Sequence, residues 1–136
     1  MTAADQPVVF DCEALSRAVR GDGYLRAVVE NARDTRRAVV VPVVTLVEAT
    51  HPRIDQAAMA WVLSRLTVEP DSEPIARSAS ALLVAAGLHG HRHALDALVV
   101  ATALAVARGA TPIIYTSDPD DLQALSAGRA AVVPLR

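Results

Sequence analysis

Short apolar runs alternate with longer segments of helical periodicity along the whole chain. The strand-like runs lie at residues 8–10, 38–41, 67–69, 112–116 and 131–133. Helical patterns occupy residues 12–20, 22–36, 43–51, 55–66, 72–88, 94–108 and 118–127. Strands that alternate with helices form right-handed crossovers and a mainly parallel sheet. The pattern therefore predicts an α/β fold with a mainly parallel five-stranded sheet that is covered by helices on both faces.

Composition agrees with this pattern and limits the size of the fold. The chain has 136 residues, which suffice for one domain with a hydrophobic core and not for two, so we expect a single domain over residues 1–136. Only 3% of the residues are aromatic, whereas 52% are hydrophobic, so Val, Leu and Ala must build the core. Residues 94–108 are apolar almost all round, which predicts a buried central helix.

Several classes of protein are excluded by residues that the sequence lacks. There is no lysine, so neither a P-loop nor a lysine-assisted phosphoaspartate site is present. Cys12 is the single cysteine, which rules out an intrachain disulfide; we expect it to be a small packing residue. The first residues carry no basic signal region, and no apolar run reaches the roughly 18 residues that span a bilayer. We therefore expect a cytoplasmic protein without a membrane segment.

Two acids lie just beyond the ends of predicted strands. Asp11 follows the first strand and Asp118 follows the fourth. Sites of parallel α/β sheets form beyond the carboxyl ends of the strands, so both acids lie where a site is expected. Each also has a structural explanation, because Asp is a favoured helix N-cap and Asp118-Pro119 with Asp121 resembles a capping box.

Two further acids interrupt apolar helical segments. Glu48 lies about two turns into PVVTLVEAT, beyond the reach of an N-terminal cap, and needs a partner, a cation or a water-filled cleft. Asp96 opens LDALVVATALAVA, either as an ordinary first-turn acid or as a carboxylate directed into a cleft. Four converging carboxylates repel one another unless a cation neutralises them, and oxygen ligands suit Mg²⁺ or Mn²⁺. The sequence thus predicts a site for one or two such ions.

The four acidic segments together resemble those of one family. VVFDCEAL, PVVTLVEAT, HALDALVVATAL and IIYTSDPDDLQAL are similar to the four acidic segments of PIN-domain nucleases, in the same order and with similar spacing over nearly the whole chain. Within that family the chain most resembles VapC-type ribonuclease toxins of VapBC toxin–antitoxin systems, of actinobacterial type. The resemblance implies a PIN-like three-layer α/β/α sandwich and Mg²⁺- or Mn²⁺-dependent endoribonuclease activity that leaves 3′-hydroxyl and 5′-phosphate ends. It also implies a homodimer and a cognate VapB-like antitoxin.

The resemblance also assigns roles to individual residues. By position, the catalytic, metal-binding acids are Asp11, Glu48, Asp96 and Asp118. Thr116 matches a supporting hydroxyl residue, and Asp121 an additional acid. Glu13 departs from the family, in which a small polar residue is frequent at that position. A glutamate there can add a ligand, change the metal affinity or point to solvent.

The segment His89-Gly-His91-Arg-His93 raises the question of a transition-metal site. Because Gly87 and Gly90 break the helical pattern, we expect a surface loop. A role for His93 beside the acids and a dedicated Zn²⁺ site are the alternatives.

Competing functions are an inactive PIN-like binding module, a housekeeping RNA-processing nuclease, a signalling receiver domain and an acidic-cluster phosphatase. The receiver is disfavoured by the absence of lysine and by the position of Asp96 in a helix. The sequence identifies neither the RNA target nor the antitoxin.

Overall fold

A five-stranded sheet lies in the middle of the computed structural model, which describes residues 5–135. Its strands are β1 (Val8–Phe10), β2 (Val39–Pro42), β3 (Thr67–Glu69), β4 (Ile113–Thr116) and β5 (Ala131–Pro134). The spatial order is β3-β2-β1-β4-β5, and every neighbouring pair is parallel. The predicted α/β class is therefore confirmed, with a sheet that is wholly and not only mainly parallel.

Helices cover both faces of this sheet. They are α1 (Cys12–Val19), α2 (Gly23–Asp34), α3 (Val43–Ala49), α4 (Gln56–Leu63), α5 (Glu73–Ala86), α6 (His91–Ala107) and α7 (Pro119–Ser126). Side chains alternate between the two faces of a strand. Accordingly, Val8 and Phe10 pack with buried residues of α1, α2 and α4. Val9 packs with those of α5, α6 and α7 on the other face. The result is the three-layer α/β/α arrangement.

Local signals explain where several helices begin. Asp22 and Asp55 occupy N-cap positions and accept hydrogen bonds from the backbone N–H groups of Leu25 and Ala58, at 3.0 and 2.9 Å. Such bonds satisfy N–H groups that the first helical turn leaves without a partner. These caps fix the two helices that flank the β2 and α3 segment.

The order of the strands places the site between β1 and β4. From β1 the chain proceeds outward to β2 and β3, and it then returns to form β4 and β5 on the opposite side. The crevice beyond the carboxyl ends of the strands opens at such a reversal. Phe10 pairs with Tyr115 there, and the N–H of Asp11 donates to the Tyr115 carbonyl at 3.2 Å. The residues that follow β1 and β4 are thus brought side by side.

The central helix begins earlier than the sequence indicates. The pattern predicts a helix from residue 94, but α6 begins at His91, after Gly90 with a positive φ of 86°. The prediction of a loop for His91 and His93 is therefore wrong, and Asp96 lies in the second turn of α6 and not at its start. Most of the helix is buried, as expected. None of the helices within residues 5–135 is both long and apolar enough to cross a membrane.

Candidate metal centre

Asp11 is a buried carboxylate that joins two parts of the chain. Its Oδ1 atom accepts a hydrogen bond from the backbone N–H of Ala14 at 2.8 Å, which caps α1. Its Oδ2 atom accepts from the N–H of Ser117 at 2.9 Å, beyond the end of β4. Burial raises the pKa of Asp11, the hydrogen bonds from Ala14, Ser117 and Thr116 oppose the rise, and the charge of Asp118 adds to it. The capping explanation is therefore correct for Oδ1, whereas Oδ2 connects the end of β1 to the residue that follows β4.

Asp118 begins α7 without capping it. The residue occupies the N-cap position, but its side chain makes no capping hydrogen bond. Its backbone N–H donates instead to the hydroxyl oxygen of Thr116 at 2.9 Å, and Thr116 is fully buried. Thr116 thereby fixes both Asp11 and the backbone of Asp118. The exposed Asp118 carboxylate is therefore not used as a helix cap and is available to bind a cation.

Glu48 is exposed near the end of α3, so its carboxylate is buried less than the apolar sequence around it predicts. Burial raises its pKa, the thiol of Cys12 opposes this by donating a hydrogen bond, and the charges of Asp11 and Asp118 raise it further. Cys12 is only partly buried, so its predicted role as a packing residue is incomplete. It also donates a hydrogen bond to the Glu48 carboxylate.

The pKa of Asp96 is affected by the charges of the other acids of the site. Burial, and after it the charges of Asp118, Asp121, Asp11 and Glu48 in decreasing order, raise its pKa from 3.8 to about 7. A carboxyl group with such a pKa is partly withdrawn from water and lies near other negative charges. The four acids selected from the sequence therefore lie close enough to act on one another, although they come from four separate segments.

His93 is the residue of this centre that the sequence analysis placed elsewhere. One ligand atom from each of His93, Asp96 and Asp121 lies within 4.8 Å of the other two. His93 Nδ1 is 3.7 Å from Asp121 Oδ2. The signal that points to this arrangement is the i,i+3 spacing of His93 and Asp96 on one helix. It applies only if the helix begins before residue 94.

Glu13 is held by arginines. Its Oε1 atom is 3.1 Å from both Arg17 Nε and Arg20 Nη2. Burial alone would raise the pKa of Glu13, but the hydrogen bonds and charges of the two arginines lower it. Of the three roles left open for Glu13, the structure favours a surface ion pair over a ligand position.

The side chains of this centre suit a hard divalent cation. Asp11, Glu48, Asp96 and Asp118 supply oxygen donors, and oxygen donors are what Mg²⁺ and Mn²⁺ prefer. The raised pKa of Asp96 agrees with this, because burial and four neighbouring carboxylates all disfavour its charged form. A bound cation would offset the charges of these neighbouring carboxylates.

Comparison with known proteins relates the chain to others by fold. The sequence matches no family model and no curated protein. The structure resembles a chain of VapBC2 from Rickettsia felis, solved with a DNA fragment from its promoter, with a TM-score of 0.72 and 12% identity over 96% of this chain and 100% of that chain. It also resembles a chain of a toxin–antitoxin complex from Klebsiella pneumoniae, with a TM-score of 0.63 and 19% identity over 93% and 95% of the two chains.

A third similar structure is FitAcB from Neisseria gonorrhoeae, with a TM-score of 0.60 and 17% identity over 92% of this chain and 95% of that chain. Nearly complete coverage of both chains means that the whole architecture is shared, not one motif. At these identities the similarity establishes the fold. The PIN-like α/β/α sandwich predicted from the sequence is therefore confirmed.

Proposed function

We propose that the protein is a metal-dependent endoribonuclease, and that it is the toxin component of a type II toxin–antitoxin pair. The observation that carries the proposal is the mutual charge interaction of Asp11, Glu48, Asp96 and Asp118 at the reversal of strand order. Such a cluster is unfavourable in a protein that has no use for a cation. The proposal is supported further by the fold, which the toxin–antitoxin complexes share.

In this proposal the four acids would hold Mg²⁺ or Mn²⁺, with Thr116 and Asp121 in supporting positions. A divalent ion bound there supplies an activated water and offsets the charge that develops on a phosphodiester. The chain's own residues determine where that chemistry occurs. Asp11 is fixed by two backbone hydrogen bonds, so its position changes little when substrate arrives. Glu48 and Asp118 are exposed and remain open to the solvent side, from which RNA approaches.

Asp96 adds a proton-holding group to the centre. With a pKa of about 7, its carboxyl carries a proton for about half of the time at neutral pH while no cation is bound. The proton leaves when positive charge balances the neighbouring carboxylates. We therefore expect proton release to accompany metal binding, in an amount that falls as the pH rises above 7.

The remaining parts of the proposal concern partners and location. We propose that residues 1–136 form one PIN domain that acts on RNA in the cytoplasm, forms a homodimer and is inhibited by a VapB-like antitoxin. The support is the set of structural relatives, each of which is named as a VapBC, FitAcB or toxin–antitoxin assembly.

A cleavage assay tests the proposed activity. Purified protein, shown to be folded and free of any antitoxin, is incubated with a mixed cellular RNA pool in Mg²⁺, Mn²⁺ or EDTA. We expect cleavage by the wild type with either metal, and none by Asp96→Asn. The matched control is Asp34→Asn, which removes an exposed acid at the end of α2 and leaves cleavage unchanged. If no metal supports cleavage by folded protein, the chain is a binding module and not a nuclease.

Expression in cells separates a toxin from an RNA-processing enzyme. A toxin arrests growth when it is produced alone, whereas its Asp96→Asn variant does not. Normal growth with active wild-type enzyme would favour the processing role.

A further inference from the structure

A buried nitrogen atom at the α6–α7 side of the metal centre has no hydrogen-bond partner. Within residues 5–135, His93 Nδ1 is enclosed and makes no hydrogen bond. The atom that faces it is Asp121 Oδ2, 3.7 Å away, which is too far for a hydrogen bond. Buried polar atoms in folded proteins are nearly always satisfied, so this one requires an explanation.

The spacing of the three side chains fits ligands around one ion. Two donors that bind one metal at about 2.0–2.2 Å and lie about 90–180° apart are separated by about 2.8–4.4 Å. The 3.7 Å between His93 Nδ1 and Asp121 Oδ2 falls inside this interval. With Asp96 included, the ligand atoms lie within 4.8 Å of one another. This limit is only a few tenths of an ångström above the longest separation in the interval, and a small side-chain rotation closes that difference.

We propose that His93, Asp96 and Asp121 form a mixed nitrogen–oxygen site for a divalent transition-metal ion at the α6–α7 side of the acidic centre. Imidazole suits transition-metal ions such as Fe²⁺, Ni²⁺ and Zn²⁺, whereas Mg²⁺ takes oxygen ligands and retains water. His93 therefore sets the choice of metal. The inference shares Asp96 and Asp121 with the proposed nuclease site. It rests on that proposal for the role of the ion in cleavage, whereas metal binding by these three residues does not depend on it.

The position of His93 explains why it differs from its neighbours. His89 and His91 are exposed, whereas the side chain of His93 is 17% exposed and lies near Asp121 of α7. His91 therefore provides a matched control. It is a histidine in the same helical turn, but it is not part of the His93, Asp96 and Asp121 cluster.

Calorimetric titration of the folded protein with Zn²⁺ and with Mg²⁺ tests the inference. For His93→Asn we expect Zn²⁺ affinity to fall at least about tenfold and Mg²⁺ affinity to stay within about twofold of wild type. His91→Asn should bind both ions as the wild type does. Equal Zn²⁺ affinity in the wild type and His93→Asn would overturn the inference and leave His93 as an ionic partner of Asp121. An equal loss for both ions would also overturn it, because His93 would then act through the fold.

A measurement on the wild type guards against a variant that does not fold. In ¹H–¹⁵N spectra of the histidine rings, bound Zn²⁺ should shift a ring nitrogen of His93 and not of His91; no shift at His93 would refute the inference. The cleavage assay is read separately. Zn²⁺ binding that depends on His93, without RNA cleavage, would retain this site and remove the proposed nuclease. RNA cleavage together with Zn²⁺ binding that does not depend on His93 would retain the proposed nuclease and remove this site.

Discussion

Replacing Asp96 with Asn should stabilise the metal-free protein, although Asp96 is proposed to be essential for activity. The pKa of Asp96 is raised from 3.8 to about 7, so the fold favours the protonated carboxyl. The stabilisation from protonation is complete below about pH 4 and is lost as the pH rises through about 7. At about 1.4 kcal/mol per pH unit the full loss is roughly 4 kcal/mol. Because the side chain is only half-buried, solvent screening reduces it to about 2 kcal/mol.

Asparagine is neutral at every pH and escapes this loss. In EDTA, Asp96→Asn should therefore exceed the wild type by about 2 kcal/mol at about pH 8 and by almost nothing at about pH 4. Urea unfolding measures the difference, and for a slope of about 2 kcal/mol/M the midpoint should rise by about 1 M at the higher pH. The exposed acid in Asp34→Asn serves as the control and should show no such pH dependence.

Metal should reverse the order of stability. An ion at about 100 times its dissociation constant stabilises the wild type by about 2.7 kcal/mol, and the variant gains little because it lacks a ligand. The reasoning is refuted if Asp96→Asn is less stable than the wild type in EDTA at about pH 8. That result would mean that the Asp96 carboxylate stabilises the fold and that the acids are not in mutual repulsion.

Three further predictions concern residues around the acids. Burial, with the charges of Glu48 and Asp11, raises the pKa of Cys12 to about 12. In the metal-free protein at about pH 8, Cys12 should therefore react with a disulfide reagent roughly a thousandfold more slowly than an ordinary thiol. Mn²⁺ should accelerate this reaction, because it balances the charges of Glu48 and Asp11. Thr116→Val should lower the free energy of unfolding by about 1–3 kcal/mol, because the N–H of Asp118 loses its acceptor, and Thr116→Ser should restore it in urea titrations. Glu13→Gln should change stability by less than about 1 kcal/mol and leave cleavage intact, since its arginine pairs are at the surface; a large loss of cleavage would instead make Glu13 a ligand.

Most of the fold is encoded in local patterns that the sequence displays directly. The segments 8–10 and 67–69 were predicted with the observed bounds of β1 and β3. β1 is a fully buried apolar run, whereas β3 is partly exposed and alternates polar and apolar residues. The start of α6 was not predictable in this way. Gly87 and Gly90 are both helix breakers by type and both have a positive φ, of 69° and 86°. The structure shows that Gly87 ends α5 and that α6 begins directly after Gly90.

The site was predictable only where it depends on the topology of the sheet. Asp11 and Asp118 come together because neighbouring parallel strands end at the same edge, which follows from the strand and helix order. The approach of His93 to Asp121 depends instead on how α6 packs against α7. The hydrogen bond of Cys12 with Glu48 likewise depends on the rotation of α3 against α1. Neither contact produces a periodic pattern of residues from which it could be predicted.

The chemistry of the cleaved ends tests the central claim most directly. A synthetic RNA is incubated with the purified wild type in Mn²⁺, and the new termini are identified by ligation and mass spectrometry. Attack by a water activated within the acidic centre predicts 5′-phosphate and 3′-hydroxyl ends, with all cleavage abolished by EDTA and by Asp96→Asn. Cyclic 2′,3′-phosphate ends, or cleavage that persists in EDTA, would contradict a metal-dependent hydrolytic site built from Asp11, Glu48, Asp96 and Asp118.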